Sequence, residues 1–393
     1  MDKGVFVIQA GAIKKNGLIH IPSHWHFILK AYGELLPGTY LVCRKDNSLM
    51  GKATMPIPDG LEPMLLDKFD TDGAIGRLYS YFLARIKLKE MVAKAKFVGA
   101  VLPSYLGHIA ANIAIQMKKP LFVEVAGENT IYDRRLSLKL PFRYLAHSRT
   151  RNIDAKVLKM ADLVVYVSQY LADTSVILPR VYGVVPHTTI YDSDIFMRDD
   201  TCKDNVIKIF SANRIVQEKG LQNLLIAIRK LRDEGFNIAA TLAGDGEYLN
   251  ALKHQCSDLK LNEYISFPGH INAGENLWRL YRQADIMVLP TLASGEGTPK
   301  CILESFASCC PVIASAVGGI KLLLDKGNRG ILVKLGNIEE LVEAIKVMIT
   351  DDEARRKYIK NSYEWVSNAT LERRTELLKD LLNKHLPGIF DNG

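Results

Sequence analysis

The sequence predicts two doubly wound α/β domains, each a parallel sheet covered on both faces by helices. Three observations carry that expectation. Short β-branched runs (Val5 to Ile8, Phe97 to Leu102, Leu121 to Val125, Leu163 to Val167) alternate with helix-length amphipathic segments, the pattern of strands buried between helical layers. The alternation restarts after a polar stretch, Tyr191 to Asn205. A chain of 393 residues also exceeds one ordinary domain of about 100 to 200 residues. The expected division is 1–196, 203–365 and a C-terminal helix and tail, 366–393.

An apolar fraction of 48% with 24% charged residues is that of a soluble globular chain and excludes disordered and fibrous classes. The six cysteines (Cys43, Cys202, Cys256, Cys301, Cys309, Cys310) form no CxxC pair, which fits reduced thiols. Met1 to Val5 shows no signal-peptide pattern, so a cytoplasmic protein is expected. Phe97 to Met117 is uncharged, but Pro103, Ser104, Gly107, His108, Asn112 and Gln116 interrupt it. It divides into a strand, a turn and a helix rather than a membrane span.

The net charge of +8 is concentrated N-terminally: Arg85 to Lys159 holds 15 basic and 5 acidic residues. Within this belt Arg134, Arg135, Lys139, Arg143, Arg149 and Arg151 are interleaved with Leu138, Leu140, Phe142, Tyr144 and Leu145. That composition suits peripheral docking on an anionic membrane surface.

Beyond the polar stretch the expected elements run strand Ile207 to Ala212, helix Gly220 to Glu234, strand Ile238 to Ala243, helix Tyr248 to Leu259 and strand Ile265 to Phe267. Helix Asn276 to Gln283, strand Ile286 to Leu289, helix Pro299 to Cys309 and strand Val312 to Ser315 follow. Ligands of such sheets sit beyond the carboxyl ends of the strands, so chemistry is sought in the loops there. The tail from Asp352 to His385 reads as helical, anchored by Tyr363, Trp365 and Leu377.

In Ser294 to Ala307 (SGEGTPKCILESFA), Pro299 suits a first helical position. The helix N-terminus then makes an anion site beside Glu296, Gly297 and Thr298, with the backbone N–H groups of Lys300 and Cys301 facing it. Glu304 lies roughly 7 Å further along the axis. Carboxylates that far apart accept hydrogen bonds from hydroxyls on different parts of one extended ligand. Arg214 and Lys219, in SANRIVQEKG, supply two cations suited to a diphosphate. LAGDG with Gly244, FPGH with Gly269 and His270, and the Gly-Gly of VIASAVGGI add tight turns at further strand ends.

In the order NRIVQEKG, LAGDG, FPGH, ADIMVLPT, EGTPKCILESFASCCPVIAS, GGI and RGILV, residues 207–345 resemble retaining glycosyltransferases of family 4, which have the GT-B fold. The resemblance implies two Rossmann-like domains facing each other across a cleft, with a C-terminal helix crossing back to the N-terminal domain. It implies that Arg214 and Lys219 hold the donor diphosphate, that Glu296 binds sugar hydroxyls, and that Glu304 binds the ribose. Gly297, Thr298, Pro299 and Lys300 would contact sugar and phosphate, and the turn at Gly269 and His270 would line the base. It also implies metal-independent release of a nucleoside diphosphate, a UDP-sugar donor, no cofactor and no nucleic-acid partner.

The N-terminal half, with FVEVAGEN at 122–129, resembles the acceptor-side domain of bacterial enzymes that build surface polysaccharides on glycan or lipid-linked acceptors. Many family 4 enzymes carry a histidine or aspartate in the loop after this strand; here it reads Ala126-Gly127-Glu128-Asn129. Glu124, Gly127, Glu128 and Asn129 are the acceptor-side candidates. The missing residue also motivates an alternative, a non-catalytic scaffold that binds a nucleotide sugar or a partner. His20, His24 and His26 lack local ligands to complete a zinc shell; His24-Trp25-His26 is expected to start a helix. Asp70-Thr71-Asp72 and Asp192-Ser193-Asp194 are expected as caps or solvated loops, and no metal site is expected.

Overall fold

A computed structural model of the chain describes residues 3–50, 54–66, 74–127, 155–175 and 177–390. The chain forms two compact units. One comprises Met1–Thr189 with Leu371–Gly393, and the other Ile190–Thr370.

In the first unit the sheet grows from β1 (Val5–Lys15). Its first half pairs in parallel with β3 (Thr39–Lys45) on one side and β6 (Val98–Leu102) on the other, Val7 standing opposite Val42 and Ala100. β5 (Leu61–Leu66) extends the sheet past β3, and β7 (Leu121–Val125), β8 (Leu163–Tyr166) and β9 (Tyr182–Val184) extend it past β6, all in parallel. After a register shift between Val7 and Gly11, the far end of β1 pairs antiparallel with β2 (Leu18–Pro22), which pairs with β4 (Thr54–Pro56).

Successive side chains of a strand face opposite sides of the sheet, and the sequence fills both sides. Val5 and Val7 join one core with Leu88 and Val92 of α2 (Ala74–Lys94) and Leu106 and Ile109 of α3 (Tyr105–Gln116). Phe6 and Ile8 join another with Leu29 of α1 (Ser23–Leu35) and Leu378 and Leu382 of the last helix. A short α4 (Gln169–Thr174) follows β8, its first turn capped by Ser168 Oγ, which accepts from Leu171 N.

The second sheet has the order β12-β11-β10-β13-β14-β15, all parallel. Its strands are β10 (Ile207–Ala212), β11 (Ile238–Ala243), β12 (Ile265–Ser266), β13 (Ile286–Leu289), β14 (Val312–Ser315) and β15 (Ile331–Val333). The order runs outward from β10 in one direction and from β13 in the other, so the topological switch lies between those two neighbours. One core joins the sheet to α5 (Leu221–Asp233), α6 (Leu249–Asp258) and α10 (Ile338–Thr350). The other joins it to α7 (Glu275–Gln283), α8 (Lys300–Ala307) and α9 (Ile320–Leu323).

The polar stretch 191–205 lies with the second unit. Arg198 donates to the carbonyls of Arg282 and Ala284 at 2.8 and 2.7 Å. Buried Asp200 accepts two bonds from buried Arg355, at 2.6 and 3.1 Å.

The tail is two helices, α11 (Asp352–Val366) and α12 (Leu371–His385), and they belong to different units. Trp365 of α11 packs edge-on to Phe306 at 6.0 Å. α12 packs on the first unit through Leu378 and Leu382, both fully buried, whereas the expected anchor Leu377 is 43% exposed. The buried face of α12 is thus one position off the one read from the sequence. At about 2 kcal/mol per fully buried leucine, those two side chains contribute about 4 kcal/mol to docking the helix.

Candidate donor site

The loops at the carboxyl ends of β10 and β13, on the two sides of the switch, bring together Lys219 and Glu296. The loop after β10 runs from Asn213 through Arg214 to a single helical turn, Gln217–Lys219, and Gly220. It is held by the backbone of the LAGDG turn: Asn213 N donates to Ala243 O at 3.1 Å and Ile215 N to Asp245 O at 2.8 Å. Gly244 has φ 137°, and a Cβ there would lie 1.8 Å from Asn213 O. Only glycine fits this contact. Gly244 N in turn donates to Gly269 O at 2.8 Å, so the LAGDG and FPGH turns adjoin.

Lys219, at the end of this loop, forms an ion pair with Glu296 from the loop after β13. Both side chains are largely shielded from solvent. Thr291 Oγ lies 3.0 Å from the carbonyl of Glu218 and 3.1 Å from Glu296 Oε1, and its single proton serves one acceptor at a time. Leu292 N donates to Glu218 O at 2.7 Å, closing the two loops on each other. Arg214 is exposed, and no ion pair engages it among the described residues.

The Gly-Gly turn packs beneath the same segment. Gly319 N donates to Glu296 O at 2.8 Å, and a Cβ on Gly318 would lie 2.0 Å from that carbonyl. The close approach expected for these glycines is therefore to the backbone of Glu296 and Gly297. Gly297 is exposed, and Thr298, Pro299 and Lys300 are half-buried.

Pro299 is not the first helical residue. It occupies the N-cap with ψ 124°, outside the helical range, while its carbonyl accepts from Ile302 N at 3.1 Å. α8 starts at Lys300.

Glu304 is half-buried on α8. Its Oε2 accepts a 2.8 Å bond from Tyr281 of α7, whose fully buried ring stands edge-on to Phe210 of β10 at 4.8 Å. Burial pushes the Glu304 carboxyl up from its usual range, and Tyr281 and Lys300 pull it part of the way back. Burial likewise lowers the Lys300 ammonium. Gly269 turns with φ 79°, and His270 beside it is exposed.

A fold-level comparison fits this architecture. The crystal structure of Anabaena HepE in complex with UDP superimposes with a TM-score of 0.71, covering 97% of this chain and 100% of that one at 18% identity. Both are GT-B folds. The family model for "Glycosyl transferases group 1" matches residues 192–365. Over that stretch, which holds every strand-end loop described above, the chain is similar to the group 1 glycosyl transferases.

Staphylococcus aureus CapJ is 26% identical over 292 residues, 72% of this chain and 70% of that protein. The amylovoran biosynthesis glycosyltransferase AmsK of Erwinia amylovora is 30% identical over 152 residues, 38% of this chain and 37% of that one. The chain likewise spans only 42% of an uncharacterized glycosyltransferase of Methanocaldococcus jannaschii.

In the first unit the structure corrects one expectation. Glu124 does not face an acceptor: it is fully buried. Its Oε1 lies 2.9 Å from His187 Nε2, and its Oε2 accepts from Arg374 at 3.2 Å and from the Tyr32 hydroxyl. Burial opposes its ionisation, but His187, Arg374 and Tyr32 outweigh it and bring the carboxyl down to about 2. Gly127 is half-buried. Glu128, Asn129, the basic side chains from Arg134 to Arg151 and Asp70-Thr71-Asp72 lie outside the described residues. His24-Trp25-His26 does open a helix, α1, where His26 Nδ1 lies 2.7 Å from Pro56 O. Asp192-Ser193-Asp194 forms one helical turn in which Asp194 accepts from Tyr191 N.

Sequence reading missed Tyr281, Thr291, His187, Arg374 and Tyr32. Thr291 stands in the quoted ADIMVLPT, directly after the strand-ending Pro290, and its position there was the available signal. The others meet their partners only through the fold.

Proposed function

We propose that the chain is a retaining glycosyltransferase that moves a hexosyl group from a nucleoside diphosphate sugar to a glycan acceptor carried on a lipid, in bacterial surface-polysaccharide synthesis. One observation carries this reading: a lysine and a glutamate from the two loops flanking the switch point, Lys219 and Glu296, meet at the carboxyl edge of the second sheet. Lys219 and Arg214 would receive the diphosphate, Glu296 the sugar hydroxyls, and Glu304 the ribose. The first turn of α8 adds backbone N–H groups and a positive dipole end.

In the transfer, the bond from the anomeric carbon to the phosphate oxygen breaks and its electron pair leaves with the nucleoside diphosphate. The acceptor hydroxyl bonds to that carbon on the same face, and its proton passes to the departing phosphate. Cations and N–H groups fixed in place before reaction stabilise the leaving charge, the electrostatic contribution that is usually largest. This scheme uses no divalent metal. UDP is favoured as the nucleotide because HepE, a neighbour in fold, was crystallised with UDP and with UDP-glucose. The name of AmsK and the acceptor-side resemblance support a polysaccharide product.

Thermal shift of the full chain with UDP-, GDP- and ADP-sugars is the direct test, because a ligand bound only by the native state raises its melting temperature. The expected result is stabilisation by one nucleotide class, with release of nucleoside diphosphate on incubation. Stabilisation without any release would favour the non-catalytic scaffold, and neither effect would overturn the donor-site assignment.

A further inference from the structure

We propose that the Thr291 hydroxyl is a positioning group with two settings. It faces the Glu218 carbonyl while Lys219 neutralises Glu296, and it turns onto Glu296 once a bound diphosphate draws the lysine away. The inference rests on the donor-site reading above and concerns how that site exchanges its partners. Lys219 cannot give its charge to a diphosphate while it stays paired with Glu296. A carboxylate as shielded as Glu296 is in turn costly to leave without a partner.

Thr291 is placed to resolve that conflict. It follows β13 after one residue, Pro290, and is fully buried. The backbone there is packed tightly: a Cβ on Gly220, the residue after Lys219, would lie 1.9 Å from the Pro290 carbonyl oxygen. Ala293 N donates to Thr291 Oγ at 3.3 Å. The hydroxyl proton is left for the Glu218 carbonyl at 3.0 Å or for Glu296 Oε1 at 3.1 Å. Passing from one acceptor to the other takes rotation of the O–H about the Cβ–Oγ bond and moves no heavier atom.

Both acceptors tolerate the exchange. Glu218 O also receives Leu292 N at 2.7 Å, so it stays hydrogen-bonded when the hydroxyl turns away. Glu296 takes Lys219 and Thr291 on the same oxygen, Oε1. The hydroxyl therefore serves the atom that the lysine leaves, and Oε2 stays open to a sugar hydroxyl. A hydrogen bond to an ionised acceptor is stronger than one to a neutral carbonyl, so the proton follows the charge once Lys219 has moved.

Titration calorimetry of the full chain with UDP, GDP and ADP tests the exchange, read on the nucleotide that binds most tightly. Thr291→Val keeps the branched shape and removes the proton donor. It should weaken the nucleotide by about tenfold or more, because binding then strands Glu296. Thr291→Ser, which keeps the hydroxyl, should stay within about threefold of the parent. The deciding measurement is Thr291→Val in a Glu296→Gln background. With no charge left to strand, the valine should there cost no more than about twofold, a coupling that a hydroxyl serving only to join the two loops would not give. Thr291→Ala, read in the same two backgrounds, supplies the same cycle if the valine chain does not fold. Parent affinity in Thr291→Val, or an equal loss with and without Glu296, overturns the exchange and leaves the donor site standing. A parent chain that binds none of the three nucleotides overturns both.

Discussion

Tyr281 donates its hydroxyl to Glu304 Oε2 at 2.8 Å, so the carboxylate proposed to bind the donor ribose is held by a buried ring from the neighbouring helix. The bond fixes one carboxylate oxygen and leaves the other for a ligand. It also favours the ionised form, working against the burial that raises the Glu304 pKa. Tyr281→Phe removes that donor. Nucleotide affinity is expected to fall about three- to tenfold, and the pH dependence should shift in a defined direction. A ribose-binding carboxylate loses affinity as pH falls through its pKa, and the variant, with a higher Glu304 pKa, should begin losing affinity at higher pH. Titration calorimetry across the acidic range checks both effects.

Glu124 and Arg374 make a different prediction, about stability. Both are fully buried; Glu124→Gln would leave the guanidinium without its counter-charge, at a cost of about 3 to 5 kcal/mol. Pairing Glu124→Gln with Arg374→Met should recover much of that loss in a double-mutant cycle followed by urea unfolding. The pH dependence follows from the depressed folded-state pKa of about 2. The contribution is complete above the unfolded carboxyl value near 4.5 and is lost as pH falls from there toward 2. Unfolding midpoints of the parent and Glu124→Gln proteins should therefore converge in acid.

These two relationships mark where the sequence was legible. The ends of β10, β11, β13 and β14 coincide with the runs Ile207 to Ala212, Ile238 to Ala243, Ile286 to Leu289 and Val312 to Ser315. Central parallel strands must be apolar on both faces, so their limits are written as changes in composition. Glu124 was read as a ligand because it precedes a loop. Its partners lie 92 and 250 residues away, at Tyr32 and Arg374, and nothing local distinguishes a carboxylate with such partners from an exposed one. The tail was read as helical from Asp352 to His385, with a domain limit at 365/366, because both of its helices have amphipathic patterns. The break at 367–370, where Thr370 is fully buried, carries neither proline nor glycine to announce it.

Lys219 and Glu296 should separate by kinetics, though they form one ion pair. Under the proposed roles the lysine meets the diphosphate and the glutamate meets the sugar. Lys219→Ala should weaken UDP binding and lower kcat/KM by about 10² to 10³. Glu296→Gln should change UDP affinity by no more than about twofold while lowering kcat/KM for the UDP-sugar by a comparable factor. Because both side chains are largely shielded from solvent, each change leaves its partner without a counter-charge and should cost about 1 to 3 kcal/mol of stability. Parallel calorimetry with UDP and turnover with the sugar nucleotide distinguish the cases; equal loss of UDP affinity in both variants would remove the division of roles.

Gly244 tests whether the loop after β10 is positioned by the turn beside it. Its φ of 137° disfavours any side chain, and a Cβ would collide with the carbonyl of Asn213 at 1.8 Å. Gly244→Ala must therefore push the two backbones apart, at a cost of about 1 to 3 kcal/mol. The displaced backbone is the one whose Asn213 and Ile215 amides bond to the LAGDG turn, and it leads directly to Arg214 and Lys219. The variant should lose nucleotide affinity without losing a single ligand side chain. Gly235→Ala supplies the control: its φ is also positive, at 96°, but nothing lies within 4 Å of the added Cβ. It should cost stability through strain alone and leave affinity unchanged. Measuring the melting temperature and UDP affinity of both variants separates backbone strain from displacement of the loop, and equal affinities in the two would show that the LAGDG contact does not position the site.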